Sequence, residues 1–281
     1  MVIFTACRNR MRLLFISILL ALAPVVLHGQ VTAGARSASL AGASASLDDE
    51  WSVLNNQAGM AFLNTVHAGV FYESRFLVPG LGDKGLGVTA PVGRGAFGLS
   101  FRSFGFNLYS DSRAGLAYAI KLDEKLSIGV QANFHRIRIA EGYGTAQAVT
   151  IEGGAIYRMT DRLTIAAHLF NPTRSQIADF NEERMVSVLK GGASYLFGNK
   201  VRLLSEIRKP SDRKPAIVAG VEYQVVETFS VRIGAGSNPG LTSFGLGWQI
   251  QSWRIDASSS YHAILGFSPQ ISLAYCPVKE K

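Results

Sequence analysis

From residue 66 onward, the sequence is a succession of short segments in which apolar and polar residues alternate, separated by turns rich in Gly, Asn, Asp and Pro. Alternation with a period of two is the pattern of a β-strand whose two faces meet different surroundings. Each segment is long enough to cross a bilayer as a tilted strand, which takes about 9–11 residues. We predict fourteen strands, at 66–76, 84–92, 95–105, 112–122, 125–139, 146–159, 162–170, 185–197, 200–209, 214–224, 229–237, 241–250, 253–262 and 268–276.

Two further features favour a closed membrane barrel over a soluble sandwich or a propeller. Charged residues make up only 17% of the chain, against about 25% in an average soluble protein. The even-numbered links between strands are tight turns, whereas the odd-numbered links include a long one at 171–184. Short turns on one side and longer loops on the other are typical of outer-membrane barrels. The predicted fold class is therefore all-β: a transmembrane antiparallel β-barrel of about 14 strands.

Aromatic residues near the short turns support the same orientation. Tyr and Trp are enriched where a barrel wall crosses the membrane interface. Propeller blades would repeat in sequence, and these segments do not. The predicted aromatic girdle consists of Tyr118, Tyr157, Tyr195, Tyr223, Trp248, Trp253 and Tyr275, with Phe197 and Phe229 beside them.

Charged residues in mid-strand are expected on the inner face, because an unpaired charge facing lipid is costly. Their mixed signs fit cross-strand ion pairs that fill the lumen, or a polar track for a solute. Both interpretations stay open at this point. The main candidate lumen charges are Glu222, Arg232, Arg254 and Asp256, accompanied by Glu152, Arg158, Arg202, Glu206 and Arg208.

The N-terminus has the pattern of an export signal. Arg8, Arg10 and Arg12 precede an apolar run at 13–27. A run of this length is typical of a signal peptide and is short for a membrane-spanning helix, the alternative, which needs about 20 residues. We predict that residues 1–30 are a cleaved signal peptide. Cys276 is then the one cysteine of the mature chain and is expected to be a free thiol.

No pattern in the sequence indicates catalysis. GLGDKG (80–85) lies between two strands, without the helix that a dinucleotide site requires. The chain has no GxSxG motif, and its histidines lie far apart without the spacing of metal ligands. The net charge of +8 is scattered, which disfavours a nucleic-acid partner. We therefore expect no enzyme, no cofactor and no metal site.

The two ends of the predicted mature chain carry recognisable motifs. GARSASLAGASASLDDEWSVLNNQAGMAF (34–62) contains a Gly-Ala-Ser stretch, an acidic pair and the run Asn-Gln-Ala-Gly-Met-Ala, and the chain closes with YHAILGFSPQISLAY (261–275). Both ends resemble the PorV/PorQ family, a branch of the FadL-like outer-membrane barrels. Gln57 stands where the family has Pro. The motif residues are Gly42, Asp48, Asp49, Asn56 and Gly59.

The resemblance implies a fourteen-stranded barrel in the cell outer membrane, with an N-terminal segment folded inward as a hatch. On this basis, residues 31–65 form the hatch, 66–276 the barrel and 277–281 a short tail. The hatch segment 47–62 reads as a short helix running into a loop. We expect Asp48 and Asp49 to face lumen cations such as Arg232 or Arg254, and Trp51 to pack on the wall.

The same resemblance implies a non-enzymatic function. Its partners would be outer-membrane lipid and either secretion-system components or secreted cargo. The implied function is that of a partner or scaffold in type IX protein secretion, or in attachment of cargo to the cell surface. The alternative is a FadL-like transporter of hydrophobic small molecules, which would bind a hydrophobic ligand.

Overall fold

A computed structural model describes residues 32–140, 144–177 and 184–277. The predicted signal peptide and all but the first residue of the predicted tail lie outside these residues. No helix in the described part of the chain is long and apolar enough to span a membrane. The strands are β1 His67–Ser74, β2 Gly82–Val92, β3 Gly95–Phe106, β4 Tyr109–Lys121, β5 Leu126–Ile139, β6 Gly144–Arg158, β7 Leu163–Phe170, β8 Val188–Phe197, β9 Val201–Pro210, β10 Ala216–Val226, β11 Phe229–Gly236, β12 Leu241–Ile250, β13 Trp253–His262 and β14 Gly266–Tyr275.

The fourteen strands form one closed antiparallel barrel. Each strand pairs with its neighbours along the chain, and β1 pairs with β14 to complete the circle. Closure pairs the first strand with the last, so neither terminal strand presents an open edge to lipid. The predicted fold class and the fourteen strands are therefore confirmed.

The two faces of the wall have opposite character. Leu116 and Ile233 point outward and are about 60% exposed, whereas Asp83, Gln131 and Glu152 point inward and are buried. An apolar outer face around a closed barrel is the surface of an outer-membrane protein.

The largest errors in the predicted strand bounds are three residues each, at the start of β4, which is Tyr109 rather than residue 112, and at the start of β8. For β8, the sequence predicts a start at 185, and the strand begins at Val188. Residues Met185 to Ser187 belong instead to the loop after β7, because Asn171 Nδ2 donates to the Met185 carbonyl at 2.9 Å. The hydrophobic alternation continues through this stretch and does not reveal where the loop ends.

The N-terminal segment lies inside the barrel. It contains helix α1 (Ala35–Ser39), helix α2 (Ser52–Asn55) and a 3₁₀ helix (Gln57–Phe62). Its residues contact strands on opposite sides of the wall, from β5 to β14. We call residues 32–65 the hatch. A second 3₁₀ helix, Arg75–Leu77, lies in the loop between β1 and β2.

Candidate functional site

The apolar part of the hatch rests on inward-facing glycines of β2 to β5. A Cβ added to Gly129 would lie 2.6 Å from the backbone nitrogen of Ala58, and one added to Gly87 would lie 2.6 Å from Val53. Real Cβ atoms do not approach other atoms this closely, so these positions accept only glycine while the hatch is docked.

The same arrangement recurs on the opposite wall. Leu40 packs against Gly220, where an added Cβ would lie 2.8 Å from the Cβ of Leu40. Gly234 lies against the backbone of Leu40 and Ala41. From the sequence, the abundant glycines suggest a bent wall. Their recurrence at inward positions, as at Gly85 and Gly87 of β2, is the signal that identifies a surface for close contact.

A network of buried ion pairs joins the hatch to β10 and β11. Arg36 of α1 contacts Glu222 at 2.7 Å and Asp49 at 3.0 Å. Arg232 contacts Glu222 at 3.2 Å and Asp256 at 2.6 Å. The network is buried, so each charge depends on its partners rather than on water.

The four main candidate lumen charges are thus brought together. Arg254 completes the set, with its Nε 3.2 Å from Asp256 and 3.8 Å from Glu50. Arg36, which connects these wall charges to the hatch, is not among the site residues predicted from the sequence. It is the one basic residue between 32 and 65, which is the signal that could have identified it.

The partners named for the acidic pair, Arg232 and Arg254, are wrong, although Asp48 does meet another predicted lumen cation. Asp49 pairs with Arg36, and its Oδ1 also accepts from the backbone N–H of Trp51 at 3.0 Å, which keeps its carboxylate within the hatch. Asp48 pairs with Arg158 instead. Arg232 is not free to meet either acid, because its guanidinium already contacts two wall carboxylates. Trp51 is fully buried and packs edge-on against Phe71, at 5.7 Å between ring centroids.

The remaining motif residues shape the hatch itself. Gly42 adopts a φ of 82°, and its carbonyl accepts from Arg208. Asn56 is buried; its Oδ1 accepts from Ala58 N–H at 3.3 Å, and its Nδ2 donates to the Ala45 carbonyl at 2.7 Å. Gly59 lies against the Leu47 carbonyl, where an added Cβ would be 2.8 Å away.

Gln57, which replaces the Pro of the resembled family, is also buried. Its Nε2 donates to the Val53 carbonyl at 3.3 Å and to Gln131 at 3.5 Å. The side chain therefore adds contacts that Pro could not make.

Wall carboxylates also bind backbone groups of the hatch. Glu206 Oε2 accepts from Ser44 N–H at 2.9 Å and from Ala45 N–H at 2.8 Å, while its Oε1 contacts Arg208 at 2.5 Å. Arg202, the remaining basic candidate of β9, lines a cavity rather than this contact.

A second polar cluster lies on the wall around Glu152. Its carboxylate is 3.1 Å from His168 Nε2, and it accepts from Gln131 at 3.0 Å and Asn133 at 2.8 Å. These groups fill the lumen on one side of the hatch. Of the two sequence-based interpretations, the described contacts fit mutual pairing of the lumen charges.

A polar cavity of about 410 Å³ opens at the short-turn end of the barrel. Asp48 and Arg158 form its inner boundary, and residues of two short turns form its rim. Its lining residues are Asp48, Glu124, Lys125, Arg158, Thr160, Asp161, Arg162, Thr164, Ser194, Leu196 and Arg202.

The wall has a notch between β6 and β7. Their ladder ends at the pair Glu152↔Phe170, so residues 144–151 of β6 extend beyond β7. Val149 and Ile151 on this free stretch are 60% and 50% exposed, so the notch lies within the apolar outer face.

The loop after β7 closes part of this notch. Asn171 N–H donates to the Ile151 carbonyl at 2.9 Å. The buried side chains on the inward side are mixed: Ala148, Phe170 and Val188 are apolar, whereas Thr150 and Glu152 are polar. The notch is therefore an interruption of the strand pairing, apolar outside and mixed inside, that the Asn171–Ile151 hydrogen bond bridges.

The predicted girdle residues lie at the short-turn end, and most are exposed on the outer face. Several form ring pairs across strands, such as Trp253 with Tyr275 at 5.3 Å and Trp248 with Phe229 at 4.7 Å. Ring pairs of this kind add about 0.5–1.5 kcal/mol beyond burial. That they meet the lipid interface stays a prediction.

Solved structures resemble this architecture. The toluene transporter TbuX of Ralstonia pickettii has a TM-score of 0.67 at 12% identity, over 88% of this chain and 97% of that chain. The toluene transporter TodX of Pseudomonas putida has a TM-score of 0.66 at 13% identity, over 89% and 99%. A Pseudomonas aeruginosa FadL homologue has a TM-score of 0.63 at 14% identity, over 87% and 98%.

This chain has the FadL-type barrel fold. No protein-family model and no curated protein matches its sequence. The FadL-type barrel with its apolar outer face lies in the outer membrane. Assignment to the PorV/PorQ branch stays a prediction.

Proposed function

We propose that this chain is a non-enzymatic outer-membrane channel for small hydrophobic molecules. The observation that carries the proposal is the notch between β6 and β7, whose outer flank is apolar and whose inner flank includes the buried Ala148, Phe170 and Val188. An apolar solute dissolved in the membrane could cross such a gap without entering water. The similar fold of two toluene transporters supports the same function.

The proposed path has three parts. The solute passes the notch beside Phe170 and meets the hatch, which occupies the centre of the barrel. The polar cavity at Asp48 and Arg158 lies at the other end. Because ion pairs and glycine contacts fix the hatch, passage requires the hatch to shift, and the described conformation is closed.

The test uses cells that express the full chain and measures uptake of a radiolabelled monoaromatic hydrocarbon and of a medium-chain fatty acid. Asn171→Ala removes the side chain that organises the loop over the notch, and we expect several-fold faster uptake. Asn238→Ala is the matched control, because Asn238 Nδ2 also donates to a loop carbonyl, that of Pro215 at 2.8 Å, away from the notch. Uptake by the wild type equal to that of cells without the barrel would refute the channel.

A second function, that of a partner or scaffold in type IX secretion or surface attachment, is favoured by the close fit of the hatch. Glycine contacts around the wall suit a barrel that stays plugged while other proteins bind to it. Affinity purification from native outer membranes distinguishes the two. Co-purified secretion components or cargo, together with absent uptake, would replace the channel proposal with this one.

A further inference from the structure

Three potential metal ligands meet where the first and last strands close the barrel. They are Glu50 of the hatch, His67 at the start of β1 and Cys276 directly after β14. One carboxylate oxygen, one ring nitrogen and the sulfur all lie within 4.8 Å of one another. Thiolate, imidazole and carboxylate are the donors that Zn²⁺ prefers in proteins. Sequence spacing could not reveal this group, because its members are spread over most of the chain.

The hydrogen bonds of Thr65 leave a lone pair of His67 for a ligand. Thr65 Oγ1 donates its one hydrogen to the Pro277 carbonyl at 3.1 Å, since a carbonyl can only accept. At its 3.1 Å contact with His67 Nε2, the hydroxyl must therefore accept, so Nε2 carries the ring hydrogen of the neutral imidazole. His67 Nδ1 then presents a lone pair and has no hydrogen-bond partner. An outer hydrogen bond that fixes the tautomer is a common feature of metal-bound histidine.

Glu50 is the second residue here with a buried atom that has no hydrogen-bond partner, and its carboxylate faces the Cys276 thiol. Glu50 is 3% exposed, and its buried carboxylate oxygen Oε1 makes no hydrogen bond. The nearest cation, Arg254 Nε, lies 3.8 Å away, beyond hydrogen-bonding distance. The ion-pair network around it joins three arginines to four carboxylates, so a further cation would balance it.

Burial disfavours the charged forms of both acidic ligands, Glu50 and Cys276. It raises the pKa of the Glu50 carboxyl and, together with the nearby Glu50 charge, that of the Cys276 thiol. Because the thiolate is the form that binds a metal ion, binding releases the thiol proton of Cys276 to water.

We propose that Glu50, His67 and Cys276 bind one divalent transition-metal ion, with Zn²⁺ as the ion whose chemistry fits best. Three protein ligands leave the fourth tetrahedral position for water. Tetrahedral coordination requires donor separations of about 3.3–3.6 Å, shorter than the 4.8 Å within which the three donor atoms lie here. Because the ligands belong to the hatch, the first strand and the end of the last strand, the metal fastens the hatch to the closing seam of the barrel.

The direct test uses Co²⁺ as the probe, added to the full chain purified in detergent after treatment with a chelator. The wild type should bind one Co²⁺ and show the cobalt–thiolate charge-transfer absorption, which Cys276→Ser abolishes. Glu50→Gln and His67→Gln should each weaken binding by more than about 100-fold, and Thr65→Val by about 10-fold through loss of the outer hydrogen bond. His262→Gln, at the opposite end of the barrel, is the matched control and should bind as the wild type does.

Two results would overturn the site. One is a folded wild-type barrel, shown by its heat-dependent mobility in gels, that gives no absorption with excess Co²⁺. The other is wild-type affinity in both Glu50→Gln and His67→Gln, which would mean that the thiol binds the metal alone.

A separate experiment tests whether the metal fastens the hatch. Zn²⁺ should slow tryptic cleavage after Arg36 in the wild type and leave the rate in Cys276→Ser unchanged. Equal slowing in both would refute it. None of these measurements depends on transport.

Discussion

The two halves of the hatch are held in the barrel by different kinds of interaction. Residues 32–50, the charged half, contain Arg36 and three acidic residues and bind mainly β9 to β14 through ion pairs and hydrogen bonds, with one further ion pair from Asp48 to β6. Residues 51–63, the uncharged half, carry no ionisable side chain and lie mainly against β1 to β6 through apolar contacts and glycine surfaces. One hatch therefore combines a contact that depends on charge with one that depends on shape.

The difference predicts different responses to substitution. A buried ion pair is weak evidence for net stability, but removal of one partner leaves a desolvated charge. A glycine contact, in contrast, is broken by adding atoms rather than by removing them. The ion pairs of the charged half determine which hatch residues pair with which wall residues. The glycine contacts of the uncharged half determine how closely the hatch backbone approaches the wall. Tryptic cleavage after Arg36, the one basic residue of the hatch, measures release of either half.

The largest effect is expected from Glu222→Gln. The Glu222 carboxylate contacts Arg36 and Arg232 and is buried, so its neutralisation leaves two arginines without their shared partner. Removal of one member of a buried pair costs about 3–5 kcal/mol. Cleavage after Arg36 should therefore accelerate by at least about 100-fold, since each 1.4 kcal/mol corresponds to about tenfold.

Glu227→Gln is the control for this change, because Glu227 is exposed in the turn after the same strand. Its cleavage rate should equal that of the wild type. A Glu222→Gln rate within roughly threefold of the wild type, the range of ordinary surface substitutions, would show that the charged half contributes little to docking.

The next effect is expected from Gly129→Val in the uncharged half. The added side chain would meet the backbone of Gln57 and Ala58, which cannot rotate away. Overpacking of this kind costs about 1–3 kcal/mol. We expect faster cleavage after Arg36 and a conductance in planar bilayers that the wild type lacks.

Gly191→Val provides the matched control, since Gly191 is exposed on β8 and an added Cβ meets nothing within 4 Å. Zero conductance in Gly129→Val, with the barrel folded, would mean that the hatch accommodates the added atoms and that the shape of the wall is not decisive.

The strands of the barrel wall could be predicted from the sequence, whereas the contacts of the hatch could not. Strands repeat a local period of two, so each one is visible in its own ten or so residues. The hatch contacts are non-local, as in the pair of Arg36 with Glu222, which lie 186 residues apart. No local pattern encodes such a pair, and the charges of Asp48 and Asp49 alone did not identify their partners.

The glycines illustrate the same limit from another side. Their inward phase is visible in the sequence, but only the position of the hatch shows what lies against each of them. Gly115 and Gly129 both face inward, but an added Cβ would meet the hatch at Gly129 and only wall side chains at Gly115.

A smaller effect is expected from pH, through Glu50 at the junction of the two halves. Burial raises the pKa of its carboxyl, so the docked hatch binds this proton more tightly than the released hatch does. Docking is therefore strongest below the ordinary pKa of 4.5 and weakens as pH rises through the raised value. The charged and titratable groups that face Glu50 are Arg36, Asp49, His67, Arg254, Asp256 and Cys276.

Glu50→Gln separates this contribution from the rest. In metal-free buffer, the ratio of wild-type to Glu50→Gln cleavage rates should rise with pH above 4.5 and then level off once the carboxyl is fully ionised. A flat ratio across this range would show that Glu50 is equally protonated in the docked and released hatch.

The smallest effect is expected from Asp48→Asn, at the border of the charged half and the cavity. The side chains of Asp48 and Arg158 are 31% and 40% exposed, so water screens their attraction. Pairs of this kind contribute about 0.2–1 kcal/mol. Arg158 also lies 3.7 Å from the centre of the Phe62 ring, a contact that the substitution leaves in place. Cleavage after Arg36 should rise by no more than about fivefold, and less at high salt. An increase as large as that of Glu222→Gln would show that the pair of Asp48 and Arg158 holds the charged half in place as strongly as the buried network does.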